Sequence, residues 1–258
     1  MRRAFAILAI AILSTGCFEI EQSIDLDRNL SGKAKLRIGV NLEPVVEIML
    51  RVQREMEGKT GEPTEEEREK ARAEFKKSST QSKPEETGDR AEIQKSLPPG
   101  VKLLDFKVDE KDFGIVTEAL FSFEHLKSLV DVRLPSKGDD DPSKKNVIDS
   151  PFETLDVVET DKTITIRTTP PNPAKEVKEE QAESPMETDP KMEKMVRAAL
   201  KDLRVAFRIT APFQIVEHNA TRKEGNTLVW VYDLETFEKM EKAKAKTNDF
   251  AVRVVYRK

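Results

Sequence analysis

Few side chains in this sequence are equipped for covalent or metal chemistry. Its 258 residues hold one cysteine, Cys17, and two histidines, His125 and His218. A histidine metal site or a serine triad would have to use one of those imidazoles. Neither has a second ligand at metal spacing such as His-x-x-x-His. Asp139 to Asp141 in "GDDDP" offer oxygen ligands for calcium, but the EF-hand spacing is absent and three consecutive acids cannot all face one ion. That stretch reads as a solvated loop. There is no Gly-x-Ser-x-Gly elbow, no Walker loop and no dinucleotide fingerprint. With 48 acidic residues, accidental Asp/Glu pairs are inevitable, so a glycosidase-like pair is neither picked out nor ruled out. Asn219-Ala220-Thr221 matches a glycosylation sequon, a triplet common by chance. No catalytic residue, cofactor or metal ligand is therefore expected.

The position of Cys17 is more informative than its reactivity. The chain opens with Met1-Arg2-Arg3 and ten apolar residues from Ala4 to Leu13. Such a run covers about half of a ~30 Å hydrocarbon core, too little for a spanning helix. A positive start, a short apolar run and the small residues Ser14, Thr15 and Gly16 describe a secretory signal. The segment ending at Cys17 resembles the lipobox of bacterial lipoproteins, whose cysteine takes a diacylglycerol on sulfur before cleavage frees an amine that is often acylated too. Gly16 and Thr15 fit that pattern; Ser14 stands where the family prefers Leu, and Leu13 sits one place earlier.

The resemblance implies a signal peptide over residues 1–16 and lipid attachment at Cys17. The plainer readings are an ordinary secretory signal with a chance cysteine, or a small buried hydrophobe. An odd thiol in an exported chain calls for an explanation, and acylation supplies one. Two or three acyl chains hold a protein on a bilayer where one would not. The expected address is the extracytoplasmic face of a bacterial envelope. Phe18 is not the Asp that retains some Gram-negative lipoproteins at the inner membrane, so sorting to an outer membrane is compatible with the sequence.

Composition narrows the partners. Charged residues make up 36% of the chain and aromatic residues 6%, which means a heavily solvated surface and a modest core. The net charge of −4 becomes −6 once cleavage removes Arg2 and Arg3. An acidic chain offers no footprint for nucleic acid and no charge attraction to an anionic bilayer. The covalent anchor would be what holds it at the membrane. No second apolar stretch approaches twenty residues.

The elements that would carry any site follow from periodicity. Phe18, Ile20, Ile24 and Leu26 alternate, "DRNLSG" supplies a turn, and Ala34, Leu36, Ile38, Val40 and Leu42 alternate again, which predicts a β-hairpin directly after Cys17. From Pro44 the period becomes helical, with Val45, Val46, Met49, Val52 and Met56 apolar. "TEEEREKARAEFKK" starts with a capping box and reads as a solvated helical arm over 62–77. Strands return in "VKLLDFKVDE", "IVTEALFSFEHL" and the hairpin "LDVVETDKTITIRTT". Residues 135–150 read as a loop and 170–188 as a flexible linker; a helix over 190–203 precedes a strand-rich end with a short helix near 235–246. The expected class is α+β, an antiparallel sheet with flanking helices. One envelope-exposed domain over 17–258 would hold a charged helical insertion at about 43–97.

A second resemblance rests on "RITAPFQIVEHNATRKEGNTLVWVYDLETF". With the hairpin after the lipidated cysteine, it resembles LppM-like bacterial lipoproteins, through Pro212, Ile215-Val216, Asn219 to Thr221, Gly225 and Trp230. It covers the two ends, roughly a third of the chain. It implies membrane attachment and binding of envelope lipids, and assigns no catalytic position. Each of those residues also has a plain structural use as a turn glycine, a proline leading into a strand or a core tryptophan. The functional expectation is a non-enzymatic, membrane-anchored envelope lipoprotein that binds a lipid or a protein partner. Val45, Met49 and Val52 are the candidate lipid-facing residues, over a lipid-sized groove. The alternatives are an envelope hydrolase using acids the sequence does not single out, and a scaffold working through its helical arm.

Overall fold

The computed structural model describes residues 18–59, 61–81, 90–111, 113–132, 134–135, 147–148, 152, 154–168, 194, 197–198, 200–242 and 251–258. The signal segment, Cys17, Asp139 to Asp141 and the linker at 170–188 lie outside the described residues. The strands are β1 (Phe18–Leu26), β2 (Gly32–Asn41), β3 (Val101–Lys111), β4 (Gly114–Phe123), β5 (Leu134–Pro135), β6 (Val147–Ile148), β7 (Asp156–Glu159), β8 (Thr163–Thr168), β9 (Arg204–Thr210), β10 (Gln214–His218), β11 (Arg222–Glu224), β12 (Thr227–Asp233) and β13 (Val252–Arg257). The helices are α1 (Glu43–Met56), α2 (Glu65–Gln81), α3 (Arg90–Ser96) and α4 (Leu234–Lys242).

The strands make a seven-stranded sheet in the order β11-β12-β9-β1-β2-β4-β3, a four-stranded sheet β10-β13-β8-β7, and a small β5-β6 pair. The protein is α+β, as the alternating and helical periods predict. One junction differs from the antiparallel expectation: β1 and β9 run parallel, Glu19 opposite Arg204 through Asp25 opposite Thr210. β9 buries Val205, Ala206 and Phe207 in succession, as an internal strand does, but nothing local in either strand names its neighbour or that neighbour's direction.

The β1–β2 hairpin forms where periodicity puts it. Ile20, Gln22, Ile24 and Leu26 point into the core, while Glu21, Ser23 and Asp25 face outward. The turn holds Leu30 at φ 62°, a left-handed conformation costing a non-glycine residue roughly 1 kcal/mol. Two bonds secure it: Leu30 N donates to Asp27 O at 3.1 Å, and Leu126 N donates to Leu30 O at 3.1 Å. Gly32 follows because the strands close tightly there; a Cβ would lie 1.9 Å from the Asp25 carbonyl oxygen.

Both sheets feed one core. Ile24, Phe121 and Ile209 from the larger sheet join Ile164, Ile166, Val254 and Tyr256 from the smaller, all fully buried. Each such side chain contributes about 1.5–3 kcal/mol of transfer free energy. The outer face of the larger sheet is a ladder of ion pairs. Glu19 is buried there because Arg37 and Arg204 close over it, Arg204 Nη1 lying 2.6 Å from Glu19 Oε1. Arg208 reaches Glu21 at 2.8 Å, and Lys35 reaches Glu118 at 3.1 Å.

The helices α1 and α2 sit at the end of the larger sheet where β1 begins. Phe18 is paired with Val40, β2 ends at Asn41, and α1 starts at Glu43. The capping box of α2 forms: Thr64 N donates to Glu67 Oε2 at 2.8 Å and Glu67 N to Thr64 Oγ1 at 3.3 Å. The helix is solvated, with no described side chain buried over 65–77, but it is not free-standing. Arg68 bridges to Glu47 at 3.1 Å, Arg72 to Glu43 at 2.5 Å and Arg51 to Glu62 at 2.6 Å, while Arg54 pairs with Glu67. Phe75 also stacks near Phe113 of the β3–β4 turn, with ring centroids 6.2 Å apart. Opposite charges at matched spacing on two helices make a clasp, which neither helix shows when read alone.

Candidate functional site

Sequence reasoning places candidate residues on α1, and the structure sorts them by direction. Val46 and Leu50 are buried, Val52 is half-buried, and Met49 is 57% exposed. The side chain of Val45 lies outside the described residues. A cavity of about 370 Å³ beside α1 is lined by Val46, Leu50, Glu43, Glu47, Arg68, Arg72 and Asp202, and not by Met49 or Val52. It is an ion-paired crevice. Burial opposes the charged form of Glu47, but hydrogen bonds and charge from Arg68 and Arg51 outweigh it and hold this carboxyl below its usual range. A general acid needs the opposite displacement.

The larger cavity, about 700 Å³, lies at the other end of the sheet. Its walls come from five places brought together only by the fold. The β1–β2 turn gives Arg28, Asn29 and Leu30; the segment after β4 gives His125, Leu126 and Lys127. The smaller sheet gives Val157, Glu159 and Ile164, the β9–β10 connection with the first residue of β10 gives Pro212, Phe213 and Gln214, and the end of β13 gives Arg257 and Lys258. Leu126, Val157 and Ile164 form a buried apolar floor, with Leu30 and Phe213 half-buried beside it. The strained Leu30 is thus part of this wall.

The rim is mostly cationic. Arg28, Lys127, Arg257 and Lys258 face a single carboxylate, Glu159, which Lys258 already neutralises at 2.6 Å. Arg257 Nη1 donates weakly to Gln214 Oε1 at 3.4 Å. Among the described residues neither Arg28 nor Lys127 has an ion-pair partner. In a chain of net charge −4 this is a local excess of cations over an apolar floor. Its volume falls in the range of small-molecule sites.

The histidines separate. His125 stands exposed on this rim, whereas the His218 ring is 2 residues from Ala220 and its Nδ1 accepts that residue's N–H at 3.1 Å. Among the described residues no group of three His, Cys, Asp or Glu side chains is arranged to hold a metal. Five carboxyls with displaced protonation, those of Glu47, Glu57, Glu67, Asp105 and Asp233, are all displaced downward, by ion pairs and hydrogen bonds.

The C-terminal pattern residues meet in a structural knot. Trp230 Nε1 donates to Asn219 Oδ1 at 2.8 Å, and Arg253 N donates to the same oxygen at 2.9 Å. Asn219 Nδ2 donates to Ala251 O at 2.6 Å. Trp230 belongs to the larger sheet and Arg253 to the smaller, so one amide ties the two. Val231 N donates to Thr221 Oγ1 at 3.2 Å, and Gly225 turns the chain at φ 62°. Pro212 alone of this group lines the large cavity.

No protein-family model matches the chain, and no curated protein matches it. Among solved structures, it is similar to the NMR structure of the folded domain of Mycobacterium tuberculosis LppM, with a TM-score of 0.43 and 9% sequence identity over 94% of this chain and 89% of that one. At that level of likeness no residue's role carries over. Sequence reasoning found none of the cavity's cations. Arg28 read only as part of a turn, and Lys127 and the adjacent Arg257 and Lys258 drew no reading, because the three stretches are far apart in sequence and meet only in the fold.

Proposed function

We propose that this chain is a lipid-anchored envelope protein that works by binding rather than by catalysis, and that its ligand is an anion with an apolar body, such as an acidic lipid. The observation that carries the ligand class is the end cavity. Its buried Leu126, Val157 and Ile164 would take the apolar part, and the rim cations Arg28, Lys127 and Arg257 would take the negative head. The anchor part rests on the segment before Cys17, which has the form of a lipoprotein signal. The binding part rests on the same cavity, a buried apolar floor beneath rim cations.

Titration with dodecyl phosphate against uncharged dodecyl maltoside, on the full chain, tests the ligand class. The phosphate is expected to bind more tightly, and more weakly as salt rises. Replacing Arg28→Glu together with Lys127→Glu is expected to weaken it at least about tenfold, which is about 1.4 kcal/mol. Equal affinity for the two detergents, or an unaffected double variant, contradicts the reading.

A further inference from the structure

The helix α1 has three sides, and two are occupied. Its charged side, Glu43, Glu47, Arg51 and Arg54, is committed to the clasp with α2. Its inner side, Val46 and Leu50, is buried, 5% and 7% exposed. The third side carries Ile48, Met49 and Val52 at helical spacing, with Met49 57% exposed and the other two half-buried. An apolar stripe beside a helix face that is otherwise charged is the composition of an interfacial helix.

The position of the anchor says what would cover it. Cys17 adjoins Phe18, the first residue of β1, with no linker between them. Phe18 lies opposite Val40, and neighbouring strands are about 5 Å apart. Three residues later α1 begins, a step of at most ~10 Å. The 14 residues of α1 extend about 21 Å from there. An acylated Cys17 would therefore hold this end of the sheet, with its helices, within a helix diameter or two of the bilayer surface.

We infer that the Ile48-Met49-Val52 face of α1 lies on the bilayer that holds the acyl chains of Cys17. This rests on the lipid-anchor reading. The stripe is then a second membrane contact beside the covalent one, fixing how the protein stands. A chain with two attachments cannot swing freely about the first, so the cavity at the opposite end faces away from the membrane surface.

The acylated cysteine makes the test clean, because its sulfur is blocked and an introduced thiol is then the only one that takes a label. The full chain carrying Met49→Cys, and separately Lys223→Cys at the exposed β11 strand, is spin-labelled. Each is reconstituted in vesicles of phosphatidylethanolamine and phosphatidylglycerol. Collision with oxygen, which concentrates in the bilayer, is compared with collision with a water-soluble nickel chelate. A several-fold higher oxygen-to-nickel ratio at position 49 than at position 223 is expected. Equal ratios in membrane-bound, acylated protein overturn the inference and leave the anchor reading standing. A position 49 shielded from both reagents also overturns it, since a second copy or another segment of the chain then covers the stripe. Label uptake at Cys17 in the parent chain removes the anchor reading, and the inference with it.

Discussion

At the scale of single residues, the side chains that sequence patterns single out are mostly holding the fold. Asn219 accepts from Trp230 and Arg253 through one oxygen and donates to Ala251 through its nitrogen. Asn219→Ala would leave the Trp230 indole N–H, on a residue 2% exposed, without its partner. A loss of about 2–3 kcal/mol is expected. Denaturant unfolding followed by the fluorescence of Trp230, the one tryptophan of the chain, measures it; a change below about 0.5 kcal/mol contradicts that role. Tyr256 makes the opposite case. Its ring is fully buried, its hydroxyl finds no hydrogen-bond partner among the described residues, and burial pushes its ionisation well above the ordinary range. Tyr256→Phe removes an unsatisfied polar atom and keeps the packing, so stability is expected to stay level or rise by about 1 kcal/mol. A fall of that size in the same titration would mean that the hydroxyl is bonded.

At the scale of elements, the hairpins were legible because each lies within about twenty-five residues of sequence and largely alternates, as β1 and β2 do around Asn29 and Gly32 with Gln22 the one polar inward position. The capping box of α2 was legible for the same local reason. What local pattern does not carry is partnership. The parallel contact of β1 with β9 and the clasp between α1 and α2 depend on which distant surfaces meet. Glu47 and Arg68 look like ordinary solvated charges until the two helices are side by side. The clasp has a pH signature. The folded protein holds the Glu47 carboxyl below its free value of 4.5, through Arg68 and Arg51 against the cost of burial. Its contribution is therefore complete above about pH 4.5 and lost as the pH falls through the lower folded value. Amide protection in α2 is expected to fall as the pH drops below about 4.5 while that of β1 and β9 persists. Glu47→Gln should flatten that dependence in α2. Simultaneous loss in all three elements would mean that the clasp does not open by itself.

At the scale of the whole molecule, the sheet has two unlike ends. One holds the start of β1, the clasped helices and the residue after Cys17; the other holds the cation-rimmed cavity. The nine residues of β1 separate them by about 25–30 Å. No helix among the described residues is long and apolar enough to cross a membrane. An anchored end and a binding end at opposite poles of one rigid sheet would present a ligand site at a fixed height above a bilayer. Everything in that arrangement depends on modification of Cys17. Its most direct test is the intact mass of the membrane-extracted protein beside that of Cys17→Ser. The expected result is a chain beginning at Cys17 and carrying acyl chains, with the mass increment and the membrane fraction both lost in the variant. A chain that keeps its first sixteen residues, or one with an unmodified thiol that stays in the soluble fraction, would contradict it.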